Sequence, residues 1–276
     1  ANGVWNSGML LLRIHHVSPS VTISTEYITT NLRIELATMG IALEQLRANE
    51  NTDAAALSVL ESGYYKLLRC TENIDIAHQL AAKKCFFRPS SVLLAEWLQE
   101  VLVAAKPMAA YKGISIVSKI GTDISYIQAD TDLLETLLLN LLSNSIRFSE
   151  AGKKIQVRLT KDGPWLKLSV EDSGSGITNG TLGRLFSQQL GMPALLLGEH
   201  KSLGLYVVWG IAALHGGSVT ISNRAKGGTA VRVCLPIESR SYLPMRSPQM
   251  PYLTKMDLNK RVRIGLADAL PPKPVN

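Results

Sequence analysis

The sequence predicts an α+β fold, in which a helical hairpin precedes a domain of helices packed on a mostly antiparallel sheet. Three observations carry this expectation. Apolar residues recur at spacings of three and four between residues 25 and 82. Two later stretches alternate apolar and polar residues around glycine-bearing turns. Ahead of both lies LLLNLLSNSIRFSE, residues 137–150, a leucine-rich run with helical spacing. With 276 residues, 46% of them hydrophobic, the chain can build one large domain or two ordinary ones. Only 18% are charged, which argues against a largely disordered chain.

Residues 1–24 form a lead segment of ambiguous pattern. From 25 to 47, Ile28, Leu32, Leu36, Met39 and Leu43 mark one helix face. ANENTDAAAL then gives a polar break, and helical periodicity resumes over 54–82. Two helices with a short connector suggest an antiparallel hairpin over 25–82. One hairpin leaves an apolar seam unburied, so pairing of two copies into a four-helix bundle is expected. A second domain is expected at 90–237. It begins with a helix capped by Ser90 or Ser91 and terminated by Gly113. ISIVSKI and ISYIQAD read as two short strands around Gly121. After the leucine-rich helix, KKIQVRLTKDGPWLKLSVED reads as a hairpin turning at Lys161-Asp162-Gly163. An irregular stretch (173–203), a helix (204–215) and a hairpin in GSVTISNRAKGGTAVRVCLP complete the domain. The tail, 238–276, bears prolines and little periodicity and is expected to be extended.

Charge and cysteine content narrow the function classes. The net charge of +7 is spread along the chain, without the dense Lys/Arg stripe and interleaved aromatics of a nucleic-acid surface. Cys70, Cys85 and Cys234 are scattered and odd in number, giving neither a disulfide framework nor a CxxC metal pattern. A reducing cytoplasm fits this usage. GMLLLRIHHV is too short and interrupted to span a bilayer, and no membrane segment is expected in the residues shown.

The chemistry-bearing residues sit in two places. Thr136, Asn140, Ser143, Asn144 and Arg147 share one face of the leucine-rich helix. That face can be simply solvated. Asparagine, however, is a poor helix former, and an amide oxygen can ligate Mg²⁺, a hard cation that keeps water and phosphate as its other ligands. Arg147, one turn beyond Asn144, can reach the same phosphates. The second place is EDSGSGI, 171–177, directly after a strand. Its glycines allow a sharp turn and close backbone approach to a ligand. Asp172 ends the strand, where a carboxylate can accept a hydrogen bond from an exocyclic amine. DxGxG alone is often only a turn; an Asn-rich helix followed by strand–DxGxGI is much more specific.

LLNLLSNSIRFSE resembles the N box of sensor histidine kinases, and VEDSGSGI resembles their G1 box. LGRLFSQ (182–188) resembles the F box, and SLGLYVVWGIAALHGGSVTISNRAKGGTAVRVCLP resembles the G2 box and closing strands. The resemblance covers about 25–236 and implies a Bergerat-type α/β sandwich with ATP held between the N-box helix and a lid. By that likeness Asn144 ligates Mg²⁺, Asn140 supports it and Arg147 approaches the phosphates. Asp172 reads the adenine amino group, and Gly174 and Gly176 shape the pocket. A homodimer, and a response regulator or partner kinase, are the implied partners.

Two departures qualify what the resemblance implies. The family's GxGLGL is HKSLGL here, with His200 and Ser202 in place of two glycines and only Gly204 left at the helix start. The stretch before it, GMPALLLGEH, is a short apolar lid. Lys201 either offers phosphate a cation or is a solvated lysine. On the first helix the family carries HExRxP; aligned to it, TNLRIEL puts Thr30 in the place of the phosphoacceptor histidine, Asn31 in that of its carboxylate base and Glu35 in that of the proline. A threonine without a base is a poor substitute. His15 and His16 read as loop residues, His78 as structural, His215 as a helix-end cap, and His200 as part of the altered lid. The expected function is therefore an ATP-dependent histidine-kinase-like protein of two-component signalling without its own acceptor. A non-catalytic dimeric regulator and an anti-sigma-type serine/threonine kinase are the alternatives.

Overall fold

The computed structural model describes residues 2–6, 9–13, 25–49, 52–124, 126–177, 203–225, 227–237 and 257–272. Two short strands, β1 (Asn2–Asn6) and β2 (Met9–Arg13), pair antiparallel within the lead segment, where the sequence pattern was ambiguous. Then α1 (Thr25–Ala48) and α2 (Ala54–Ala81) form the expected hairpin. Asp53 caps α2 by accepting the Ala55 N–H at 2.9 Å, which fixes where the chain turns back. Leu36 and Leu43 of the predicted seam bury against Tyr64, Tyr65 and Leu68. Ile28, Leu32 and Met39 of the same seam stay exposed, joined by Ile34, Ile41, Val59, Leu60 and Leu67. Arg33 donates to Asp75 at 2.6 Å, and Arg47 pairs with Glu61, tying the two helices at separate levels.

The next element corrects the reading of Ser90 and Ser91. They do not cap a helix but lie in β3 (Ser90–Leu93), which pairs antiparallel with β5 (Tyr126–Ala129). Helix α3 (Leu94–Tyr111) starts after it, with no side-chain cap bond at Leu93. Serines preceding an apolar run fit a strand edge as well as a cap, and the partner strand decides between them. Gly113 ends α3 as expected, with φ +74°. The two strands read around Gly121 do form, but in different sheets. Strand β4 (Ser115–Ile120) runs parallel to β6 (Lys154–Asp162), whereas β5 joins β3. Between β5 and β6 lies the leucine-rich helix α4 (Thr131–Phe148).

Strand β7 (Trp165–Glu171) follows β6, and the hairpin closes at the pair Asp162↔Trp165. Lys161 and Asp162 are thus strand residues, and the turn itself is Gly163-Pro164, with Gly163 at φ +56°. Beyond the loop 172–177 come α5 (Leu203–Leu214), β8 (Ser218–Asn223) and β9 (Thr229–Pro236). The five-stranded sheet has the order β4-β6-β7-β9-β8, antiparallel except for β4 against β6. One register row across it reads Ile120, Leu159, Leu168, Val233, Val219, all on the face packed into the core with α3, α4 and α5. The adjacent row, Arg158, Ser169, Arg232 and Thr220, alternates to the opposite face, as strand pleating requires.

The tail contains more structure than its sequence suggests. Asp257 caps a helix, α6 (Leu258–Gly265), followed by a 3₁₀ turn at Ala267–Ala269. Val262, Ile264 and Leu266 are buried there. Proline content and weak periodicity concealed it because only eight residues are helical and their apolar positions face two different neighbours. Among the described residues, no helix is long and apolar enough to cross a membrane.

Candidate functional site

Helix α4 begins at Asp130, whose Oδ1 accepts the Leu133 N–H at 3.1 Å while Oδ2 accepts the Arg88 N–H at 2.8 Å. Leucine dominates because the helix is enclosed on nearly every side: Leu137, Leu138, Leu142 and Ile146 are fully buried. The polar stripe read from the sequence divides into two environments. Asn140 is only 3% exposed, and α2 covers it. Its Oδ1 accepts from Arg69 Nη2 at 3.0 Å and Asn73 Nδ2 at 3.2 Å, and its Nδ2 donates to Asn73 Oδ1 and the Thr136 carbonyl, each at 3.0 Å. Both amide atoms are thereby fully used. Ser143 accepts from Arg69 Nη1. Gly204 approaches the same oxygen: an added Cβ would stand 2.8 Å from Asn140 Oδ1, so glycine lets α5 start this close to α4.

Asn144 and Arg147 lie one turn further on, with the Arg147 charge still felt by Arg69 and by its partner Asp268. Asn144 is half-buried, and its Oδ1 accepts from Arg147 Nη2 at 3.1 Å. The Arg147 guanidinium stacks 4.6 Å over the exposed Phe148 ring. Burial lowers its pKa, and its Nε is buried with no hydrogen-bond partner among the described residues.

The G1 loop meets this end of α4. Asp172 is buried; its Oδ1 accepts the N–H groups of Gly174 and Thr229, each at 3.0 Å, and Ser145 Oγ donates to its Oδ2 at 3.5 Å. A Cβ on Gly174 would lie 2.4 Å from the Phe148 carbonyl oxygen, so loop and helix touch at a point that excludes side chains. Gly176 adopts φ +77°, the left-handed region. The two motifs, separated in sequence, are thus brought together where Ser145 and Phe148 of α4 meet Asp172 and Gly174, with Asn144 and Arg147 on the same last turns of the helix.

Several residues of this junction were not singled out from the sequence. Asn223 accepts the Ile177 N–H and donates to the Ile177 carbonyl, both at 2.8 Å, pinning the G1 loop to the end of β8. Arg224 donates to the Asp172 carbonyl at 2.6 Å and pairs with Glu171 at 3.4 Å. Gly228, at φ +91°, leaves room for the Asp172 carbonyl, which a Cβ would meet at 2.2 Å. The available signal was NRAKGG, an Asn-Arg pair and a Gly-Gly turn between two strands. On α2, Arg69 and Asn73 are four apart, a polar pair amid apolar residues that pointed to a buried partner.

Other expected site residues lie elsewhere. Thr30, Asn31 and Glu35 are exposed on α1. Lys201, His200, Ser202, the lid before them and the F box at 182–188 lie outside the described residues, as do His15 and His16. His78 is half-buried in α2. His215 does take the helix end, its Nδ1 paired with the Ile211 carbonyl at 2.8 Å. Its Nε2 accepts the Asp130 N–H at 3.1 Å, and burial lowers its pKa, so it serves as a neutral imidazole and not as a dipole-bound cation.

Comparison with known proteins places this geometry. Residues 129–239 match the family described as histidine kinase-, DNA gyrase B- and HSP90-like ATPases. The chain carries an ATP-binding domain of the histidine kinase family. The match spans α4, the G1 loop, α5 and the closing strands, the elements that meet at the junction described above. An uncharacterised sensor-like histidine kinase of Rhizobium meliloti is 30% identical over 190 residues, covering 66% of this chain and 31% of that protein. The adaptive-response sensory kinase SasA of Prochlorococcus marinus is 26% identical over 156 residues, covering 56% of this chain and 41% of its own length. This chain thus spans less than half the length of these relatives. Among solved structures, full-length ShkA in complex with AMPPNP superposes with a TM-score of 0.60 at 24% identity, covering 81% of this chain and 48% of that one. The Acinetobacter baumannii histidine kinase AdeS gives 0.51 at 17% identity, covering 74% and 98%. These two likenesses establish the fold shared by the hairpin and the ATP-binding domain.

Proposed function

We propose that this chain binds Mg-ATP at the junction of α4 and the G1 loop, and works as a dimeric histidine-kinase-like module of two-component signalling. The observation that carries the reading is that the G1 loop seats Asp172 and Gly174 against Ser145 and Phe148 of α4, at an approach only glycine permits, on the same last turns that bear Asn144 and Arg147. The donor set fits the ligand. Asn144 offers an amide oxygen of the kind Mg²⁺ accepts. Arg147 has a buried N–H without a partner among the described residues, suited to a phosphate oxygen. Asp172 retains capacity on Oδ2, whose one contact, from Ser145, is long at 3.5 Å, and this oxygen would take the adenine amine. Gly176 would admit the base, Gly204 would bring the α5 N-terminus toward the phosphates, and Lys201 would add a cation. Magnesium would supply charge neutralisation on the phosphates.

The acceptor histidine is a separate matter. In this reading Thr30 and Asn31 stand exposed where the related hairpins present histidine and its base, so the chain does not phosphorylate its own α1. It acts either toward a histidine on a partner or as a non-catalytic regulator of a partner kinase, with a response regulator downstream. The row Ile28, Leu32, Met39, Val59, Leu60 and Leu67, exposed on one hairpin, suits burial against a second copy. Titration with Mg-ATP tests the nucleotide reading: the wild-type chain should bind, and Asn144→Ala and Asp172→Asn should each weaken binding about tenfold or more. No binding by the wild type at millimolar nucleotide would sink it. An acid-labile, base-stable label on α1 after incubation with γ-labelled ATP would sink the acceptor argument alone.

A further inference from the structure

The segment 257–272 lies beyond the family match, which ends at residue 239, yet it is built into both halves of the molecule. Ile264 and Ala267 belong to the hairpin's apolar cluster with Leu36, Tyr64 and Leu68. Val262, Leu266 and Ala269 belong to the core of the ATP-binding domain. The ion pairs repeat the division. Arg263 donates to Glu61 of α2 at 2.8 Å, and Arg261 holds both carboxylate oxygens of Glu135 on α4, at 2.8 and 3.0 Å. Gly265 seats the backbone directly on α4, since a Cβ there would stand 2.5 Å from Leu139 Cδ1.

The segment also reaches the N box itself. Asp268 pairs at 3.0 Å with Arg69, the buried α2 guanidinium that donates to Ser143 and to Asn140 Oδ1. Desolvation disfavours a buried cation, and Asp268 supplies the opposing charge that keeps Arg69 on α4. Together with Asn73, Arg69 takes up both acceptor positions of Asn140. An N-box amide occupied in this way has nothing left to offer a metal-bound phosphate or water.

We infer that residues 257–272 form an intramolecular clamp, which holds α2 over the N-box face of α4 and so opposes engagement of Mg-ATP by Asn140. The inference rests on the nucleotide reading above. The bound form requires Arg69 and Asn73 to leave Asn140, so nucleotide binding and clamp closure compete for one amide. Affinity measured on the clamped chain is then reduced by the fraction of molecules open.

The test compares the full chain with Arg261→Gln/Asp268→Asn, which removes charge ties, and with Gly265→Val, which wedges α6 off Leu139 without altering charge. Mg-ATP affinity is measured by calorimetry, and amide exchange is followed over 61–75 and 133–147 without nucleotide. Faster exchange in both segments, with Mg-ATP bound about fivefold or more tightly, is the expected result. Unchanged exchange in both variants overturns the clamp, as does faster exchange with equal or weaker affinity. If no form binds nucleotide, the ATP reading falls and exchange alone decides the clamp: faster exchange in both segments upholds it, and unchanged exchange overturns it.

Discussion

Gly174→Ala isolates the contact on which the proposed nucleotide junction depends. Its cost arises from space, because Gly174 is not among the glycines in the left-handed region. A Cβ would lie 2.4 Å from the Phe148 carbonyl oxygen, 3.0 Å from its carbon and 3.2 Å from Asp172 Oδ1. Two of these atoms are backbone, so no side-chain rotation relieves the clash. The loop must withdraw by several tenths of an ångström, which lengthens the Gly174 N–H bond to Asp172. Overpacking of this kind costs about 2–3 kcal/mol. At about 2–3 °C per kcal/mol for a chain of this size, the melting temperature falls by about 4–9 °C. Gly152→Ala is the comparator: it has φ +81° but open space around the added atom, so only the conformational penalty of about 1 kcal/mol applies. Differential scanning calorimetry on both variants should rank them in that order, and Mg-ATP affinity should fall only for Gly174→Ala. Equal melting temperatures, or unchanged nucleotide affinity in Gly174→Ala, would refute the argument that steric closeness of loop and helix builds the site.

Two further predictions concern pH and have opposite signs. Burial raises the pKa of Glu72 to about 8, against the opposing pull of Arg33 and Arg69, so between about pH 4.5 and 8 the folded chain holds a proton that the unfolded chain has released. Stability is therefore lost as pH rises through that window, and Glu72→Gln should abolish that component of the denaturation-midpoint slope; a slope identical to wild type would show the carboxyl to be ionised. His215 behaves inversely, because burial lowers its pKa and its Nε2 must stay unprotonated to accept the Asp130 N–H. Its contribution is intact above about pH 6.5 and is lost as pH falls below that value, so His215→Gln should flatten the acid side of the stability curve, as read from melting temperatures between pH 7 and 5.

The parts of the fold legible in the sequence are those with one dominant period. The helices α1, α2 and α4 and both glycine-turned hairpins of the sheet follow from spacing alone. What escaped was decided by partners. Ser90 and Ser91 read as a cap until β5 pairs with them, and β4 and β5 look like neighbours until each finds a different strand. Helix α6 divides its apolar residues between two cores, which blurs any single face. For the proposed site, Asn144, Arg147 and Asp172 could be named from the sequence because their chemistry is local to two motifs. Asn223, Arg224 and Gly228 support the G1 loop from a distant turn, and their own NRAKGG marks that turn without naming the loop it holds.

The two asparagines of α4 show why motif and state must be separated. Both have the residue type and spacing for a metal–phosphate site, and one turn of helix divides them. Asn144 keeps its amide on Arg147, whereas Asn140 is committed to Arg69 and Asn73. An amide with both atoms satisfied in the interior is costly to strip, since each lost partner leaves a buried polar group unpaired. Nucleotide must therefore offer replacement bonds at Asn140 or leave it covered and bind through Asn144, Arg147 and Asp172 alone. The first route couples nucleotide to the position of the hairpin; the second leaves hairpin and nucleotide independent. The charge arrangement favours the first, because Asp268 on the C-terminal segment holds Arg69 against Asn140, so the amide is released only as that segment and α2 shift together.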